Sequence, residues 1–462
     1  MTSWSPQLSE AGPVYLAITR ALEADIALGK LEAGEQLPTH RDLASTLGVN
    51  VGTVTRAYSE ARRRGLIEGT VGRGTFVRHR SPSALSRVKG NVEGSREEIP
   101  IDLSINIPRA MPGPDLARGL EELAGREDLD HVMAYQEPVG SLDARRAGAQ
   151  WLTRLRVKVD PGQVLVCSGA QHAILVALGA IAGPGDLVLC EELTYPGFLG
   201  AARMLGQRVR GIPIDENGII PDALEEICRE ERPRLLYCMP SLQNPTCAQL
   251  SSPRRSAIAA IAERHDLMIV QDEIQTGLIN DPGPSLAELI PDRVFTIASL
   301  SKTLSPGLRI AYLGGPAAFM GRLSEIVWSS VWMTSPLCAE LASLWLSDGT
   351  ADRVLDRRRT EIEKRHRMAA KILGDLACKT RTGSYHVWLE LPEQWESRAF
   401  AAALLGEGVR VSPSNEFSVD GRAVREAIRI SLSATPVRQD LARAMKAIRR
   451  LHDGAPGPST LL

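Results

Sequence analysis

The sequence predicts a chain in two parts: an N-terminal winged helix-turn-helix, then a large α/β domain with a mainly parallel sheet and a small α+β subdomain. Three observations predict it. Up to Val77, apolar residues recur at helical spacing and close in a hairpin pattern. Residues 79–100 are rich in Ser, Gly, Arg and Glu and poor in apolar side chains, which is the composition of an exposed linker. From Ile101 onward, short apolar strands alternate with helical stretches, the signature of βαβ units. The expected divisions are therefore residues 1–78, 79–100 and 101–462.

In the first part, Val14, Ile18, Leu22 and Ile26 share one helical face. Thr39-His40-Arg41-Asp42 reads as a capping box opening a short helix that holds Leu43, Ala44 and Leu47 and stops at Gly48. Asn50 is placed to cap the next helix, whose inner stripe is Val54, Ala57, Tyr58 and Ala61 and which ends at Gly65. Leu66 to Glu68 and Thr75 to Val77 then form a hairpin about residues 70–74. In the body, Val164–Val166, Leu187–Leu189, Leu235–Tyr237, Met268–Val270 and Val294–Ile297 read as strands. A long charged helix after Ser347 and strands at Val387–Leu391 and Ile428–Leu432 make the smaller subdomain.

A chain of 462 residues exceeds one hydrophobic core, and its 44% apolar and 24% charged content is ordinary for a globular protein. Net charge is only -1, which excludes a general polycation. Yet from Arg41 to Arg80 eight arginines face three acidic residues, a local excess of +5 that suits a polyanion. The seven cysteines include no CxxC pair, as expected of reduced thiols in the cytoplasm. No signal peptide is expected, and no apolar run approaches the ~20 residues of a membrane span.

Two helices, a tight turn and a hairpin wing make a DNA-reading head. The second helix offers Gly52, Thr53 and Arg56 opposite its apolar stripe, short and basic groups that fit a major groove. Arg41 suits a phosphate, and Arg73, between two glycines of the wing, suits a phosphate or the minor groove. The plain alternative is a small helical protein-binding domain with a solvated arginine face. Leu37-Pro38-Thr39-His40-Arg41-Asp42-Leu43-Ala44, then Leu47-Gly48-Val49-Asn50, Thr53-Val54, Ala57-Tyr58 and Gly72-Arg73-Gly74-Thr75-Phe76-Val77 resemble the GntR-family winged helix, without a gap from about Pro13 to Val77. The resemblance implies double-stranded operator DNA as partner and supports Arg41, Thr53, Arg56 and Arg73 as contacts.

In the body, chemistry-bearing residues fall at predicted strand ends, where α/β proteins bind ligands. Lys302 lies in Ser299-Leu300-Ser301-Lys302-Thr303, ahead of Pro306-Gly307 and Arg309. Such a segment can hold a phosphorylated aldehyde: the amine condenses with it, while hydroxyls and guanidinium hold the phosphate. Ser168-Gly169-Ala170 opens a helix whose N–H groups suit a phosphate. Asp272 can pair with a protonated ring nitrogen, Asn244 can donate to a ring oxygen, and Tyr195 offers a flat face. Singly, each has a plainer explanation: a helix cap, a turn, a solvated charge. Their joint order is the signal.

That order resembles the fold-type I aminotransferases that use pyridoxal 5'-phosphate (PLP), from about Ile101 to the C-terminus. Joined to the head, the chain resembles the MocR/GabR-type regulators. The resemblance implies Lys302 as the lysine of the internal aldimine, Asp272 on the pyridine nitrogen, Asn244 on the ring hydroxyl and Tyr195 stacked on the ring. It implies Ser168, Gly169, Ala170, Ser299 and Arg309 on the phosphate, Tyr135 on the phosphate of a partner subunit, hence a homodimer, and Arg429 on a substrate or effector carboxylate. A buried structural arginine is the rival at Arg429. Two positions depart from the pattern: Ile274 where a tyrosine is usual, and Cys247 where a glycine is usual. Ile274 cannot donate to the ring hydroxyl, and both weaken any expectation of efficient transamination.

The leading expectation is a regulator that senses PLP or an amino compound at Lys302. The alternative is a genuine aminotransferase carrying a DNA-binding head. A third, a helix-turn-helix adaptor with an inert body, predicts no bound PLP.

Overall fold

A computed structural model describes residues 4–6, 13–27, 31, 35–63, 66–70, 74–77, 101–109, 111–376, 378–421 and 425–454. The chain forms two compact units, Met1–Glu93 and Gly94–Leu462. Arg73, Gly65 and the whole expected linker 79–100 lie outside the described residues.

The first unit is built on α1 (Val14–Ala27), α2 (His40–Leu47) and α3 (Val51–Arg63), followed by the antiparallel strands β1 (Ile67–Thr70) and β2 (Gly74–Val77). Ile18, Leu22, Leu43, Val54, Ala57, Tyr58 and Ala61 are buried together. Val14 instead stands exposed at the start of α1, so the α1 stripe is shorter than its spacing predicts. The Thr19 hydroxyl bonds the Ala57 carbonyl at 3.2 Å and ties α1 to α3. Gly48 ends α2 with φ 64°, a left-handed turn that suits glycine. Thr39 caps α2 through the Asp42 N–H, but the expected box is half made. The Asp42 carboxylate accepts a hydrogen bond from the Thr39 hydroxyl at 2.6 Å, because aspartate is one carbon shorter than the glutamate a full box uses.

The second unit holds a seven-stranded sheet of β4 (Val164–Cys167), β5 (Leu187–Glu191), β6 (Arg208–Ile212), β9 (Leu235–Cys238), β10 (Met268–Asp272), β11 (Val294–Ser299) and β12 (Ala311–Gly314), in the order β4-β12-β11-β10-β9-β5-β6. Two minor strands, β7 (Ile214–Asp215) and β8 (Gly218–Ile219), pair with each other. Most strands are buried along their full length, as in a sheet covered on both faces. Only β12 runs antiparallel to its neighbours. The reason is the connection 300–310 from β11. It is shorter than the dozen or more residues a parallel crossover takes, so the chain turns straight back. That turn carries Lys302 and Arg309.

The smaller sheet is antiparallel, of β13 (Cys378–Lys379), β14 (His386–Glu390), β16 (Ser412–Pro413) and β17 (Ala427–Ser431). The long helix Thr350–Leu373 packs against the helix Arg438–Asp453 beside it. The first described body strand, β3 (Ile101–Asp102), pairs with β15 (Val409–Arg410). Among the described residues no helix is long and apolar enough to cross a membrane.

Candidate functional site

The C-terminal ends of β4, β5, β9, β10 and β11 gather the body's candidate residues at one edge of the sheet. Ser168–Ala170 follows β4, Tyr195 follows β5, Asn244 follows β9, Asp272 ends β10, and Ser299 ends β11 just before Lys302. Consecutive parallel strands deliver their loops to the same edge, so residues far apart in sequence meet there.

At one end lie the residues expected to hold a phosphate. Gly169 has φ 87°, and a Cβ there would sit 2.3 Å from Arg309 Nη2. Glycine is thus required by its backbone, and any larger residue would also push the Arg309 guanidinium aside. Arg309 donates to Ser301 Oγ at 3.2 Å, and Ser299 Oγ accepts the Ser301 N–H at 3.2 Å. The expected donors are narrowed, however. The Ser168 N–H goes to His172 Nδ1 at 3.1 Å and the Gly169 N–H to the Cys167 carbonyl at 2.7 Å. The helix's own first amides, from Ala170 on, are the ones a helix N-terminus leaves for an anion. Ser168 Oγ shares a hydrogen bond with Thr334 Oγ1 at 3.3 Å.

In the middle sits a buried carboxylate. Asp272 accepts from the Tyr237 hydroxyl at 2.7 Å and from the Ile274 N–H at 3.2 Å. Burial pushes its pKa up to about 6, against the pull of those donors and of Lys302. Asn244 Oδ1 accepts from Arg429 Nη1 at 2.8 Å, which leaves the amide nitrogen to face elsewhere as a donor. Arg429 also bonds the Ser104 carbonyl and lies 4.7 Å over the Phe417 ring. Tyr195 is half-buried, and burial raises its pKa, with Asp272, Arg429 and Arg309 all within electrostatic reach. Ile274 is half-buried against the apolar core beside β10. Cys247 is buried with φ 62°, a left-handed conformation that explains why glycine suits the position.

The lysine completes the group. The Lys302 Nζ donates to the Asn106 carbonyl. Its pKa is pushed down to about 8, first by burial, then by Arg429 and Arg309, while Asp272 opposes the change. Its own carbonyl takes hydrogen bonds from Arg358 at 2.7 Å and Tyr385 at 2.8 Å. Tyr135 is not gathered with these residues: it is 82% exposed, against Trp332 at 5.6 Å. A cradle emptied by a glycine, a lysine with a depressed pKa and a buried carboxylate fit a phosphorylated pyridine aldehyde.

Five residues escaped the sequence reading: Tyr237, Glu191, Asn106, Arg358 and Tyr385. Tyr237 sits within an apolar strand and reads as core. Arg358 sits in a charged helix and reads as solvated, yet it is 1% exposed. Glu191 is buried at the end of β5, accepts the Met239 N–H at 2.8 Å, and has its pKa pushed up to about 8 by burial.

On the head, Arg41 and Arg56 are exposed, and Thr53 is half-buried. Thr55, which the sequence reading passed over, is exposed one position before Arg56. Asn50 Oδ1 takes the Gly52 N–H at 2.7 Å, as its capping role requires.

The fold and these residues define a protein that couples a winged helix to a cofactor-type α/β body. The chain matches Aminotransferase class I and II over residues 98–448, and Bacterial regulatory proteins, gntR family, over residues 14–77. It is 30% identical over 453 residues to the uncharacterized HTH-type transcriptional regulator YdeF of Bacillus subtilis, covering 98% of this chain and 97% of that one. It is 27% identical over 366 residues to the HTH-type pyridoxine biosynthesis transcriptional regulator PdxR of Corynebacterium glutamicum, covering 78% of each. Among solved structures it is similar to LysN, an α-aminoadipate aminotransferase of Thermus thermophilus complexed with N-(5'-phosphopyridoxyl)-L-leucine. There the TM-score is 0.71 at 26% identity, over 86% of this chain and 98% of that one. The chain belongs to the family of regulators, MocR-type in architecture, that join a gntR-type winged helix to a class I and II aminotransferase body.

Proposed function

We propose that this chain is a transcriptional regulator whose head binds operator DNA and whose body senses PLP, or an amino compound, at Lys302. The observation that carries the reading is that Asp272, at the end of β10, and Arg429, on β17 of the smaller sheet, both lie within electrostatic reach of Lys302 in a chain that also bears a winged helix. The cofactor is PLP, which supplies an aldehyde that condenses reversibly with amines. Lys302 provides the amine, Asp272 holds the protonated ring nitrogen, Asn244 donates to the ring hydroxyl and Tyr195 covers the ring. Ser168, Gly169, Ala170, Ser299 and Arg309 hold the phosphate, and Arg429 receives the carboxylate of an amino-acid effector. Arg41, Thr53, Arg56 and Arg73 contact DNA.

The active form is a homodimer in the cytoplasm. Tyr135, Trp328 and Trp332 support the dimer: they form an exposed aromatic cluster, each at least half open to solvent in the single chain. A coupling of ~1–3 kcal/mol between effector and DNA makes a usable switch. The test is to load the purified protein with PLP and titrate amino acids, following absorbance and the gel shift of DNA beside its own gene. One of the amines, or PLP itself, should alter DNA affinity while turnover with an oxo acid stays negligible. Sustained transamination with unaltered DNA affinity would support the aminotransferase alternative instead.

A further inference from the structure

The buried carboxylate at the end of β10 is not held by the backbone alone. Its Oδ2 takes the Tyr237 hydroxyl at 2.7 Å, and both residues are buried. Tyr237 comes from β9, the strand hydrogen-bonded to β10, where it pairs with Val270. Its ring stacks on Phe198 at 4.2 Å between centroids and 9° between planes. Phe198 lies in the helix Pro196–Met204, which begins beside Tyr195. The ring packs on Phe198, while the hydroxyl is the part that touches Asp272, and its acceptor is a carboxylate in surroundings that disfavour charge.

We propose that Tyr237 is a positioning residue for Asp272: its hydroxyl keeps that carboxylate ionised and aimed, and so sets how tightly, and down to what pH, the body holds the cofactor's protonated ring nitrogen. This rests on the reading of Asp272 as the partner of that nitrogen.

The groups facing Asp272 are few. Tyr237 and Cys238 face it from β9, Glu191 from β5, Tyr195 from the following helix, Glu273 from the next position, and Lys302 from the turn after β11. Glu191 is protonated at neutral pH, since burial pushes its pKa up to about 8. Cys238 and Tyr237 are pushed up by burial and stay neutral. Tyr237 is the side chain bonded directly to the Asp272 carboxylate, and a donor to the charged form lowers the pKa. Its removal therefore raises the pH below which Asp272 is neutral.

The full-length apo forms of wild type, Tyr237→Phe and Phe198→Leu are to be titrated with PLP from about pH 5 to about pH 8, following the yellow absorbance. Tyr237→Phe keeps the ring stack, should bind roughly tenfold more weakly near neutrality, and should have its acid limb displaced upward by about one pH unit. Phe198→Leu keeps the hydroxyl and should lower the melting temperature without moving the limb. A PLP analogue with carbon in place of the ring nitrogen should bind wild type and Tyr237→Phe alike, since Asp272 then has nothing to hold. Superimposable limbs for wild type and Tyr237→Phe, an equal displacement in Phe198→Leu, or an equal loss with the analogue would each overturn the inference. A wild type that takes up no PLP would overturn the Asp272 reading as well, so the two failures are distinguishable.

Discussion

The two units place their chemistry differently. In the head, the described candidate contacts Arg41, Thr53 and Arg56 lie on α2 and α3, within a short run of sequence. In the body, the candidates come from strand ends, from the turn after β11 and from β17 of the smaller sheet, and most are partly or fully buried. A groove-reading helix needs only correct spacing on a solvated surface, whereas a covalent site needs groups moved off their usual pKa, which takes desolvation and therefore long-range assembly. Damage to the first should be local, and damage to the second should extend to every partner in the cluster.

The sharpest break between the two comes from Lys302→Ala. It should abolish the yellow absorbance and any borohydride-fixed adduct, with a folded head still shifting DNA. A surviving adduct would refute the lysine assignment. In the other direction, Arg56→Ala should weaken operator binding about ten- to hundredfold at normal PLP content. An unchanged gel shift would mean that α3 does not face the groove. A milder effect follows from the Lys302 pKa of about 8, depressed by burial. The neutral amine is the nucleophile, so PLP uptake should quicken about tenfold per pH unit below pH 8 and level off above it. A rate still climbing from pH 8 to about pH 10 would place the amine in ordinary solvent. The smallest expected effect is at Glu191. Its folded pKa of about 8 exceeds the usual 4.5, so the unfolded chain ionises first and the fold loses stability as pH rises between those values. Glu191→Gln should flatten that slope, so that its melting temperature gains on wild type by a few degrees at pH 8 but not at acid pH.

Much of this was legible in the sequence. Gly48, Asn50 and the α3 stripe announced the head because caps and helical periodicity are local. Lys302, Asp272 and Gly169 could be picked out because they stand at strand ends. Tyr237 and Arg358 could not. A tyrosine within Leu235–Cys238 has the pattern of core, and only the pairing of β9 with β10 sets it against Asp272. Arg358 belongs to a helix full of charges, and only the packing reveals that it bonds carbonyls of the lysine turn and of Pro112. The antiparallel β12 was missed for a similar reason, since strand direction depends on connection length and not on composition. The Asp42 half-box is the reverse case: the motif was present, but its side chain was too short to close it.

The peptide of Lys302 is pinned at its carbonyl by Arg358 and Tyr385, so the tip of the side chain can trade partners while the main chain stays still. Arg429 is placed otherwise, since it grips both Asn244 and the Ser104 carbonyl from a strand of the smaller sheet. An arriving acid group would have to loosen that double grip. If Arg429 receives an effector's carboxylate, it is the arginine that would register an amino acid, and an amine lacking that group would occupy the molecule and leave the grip intact.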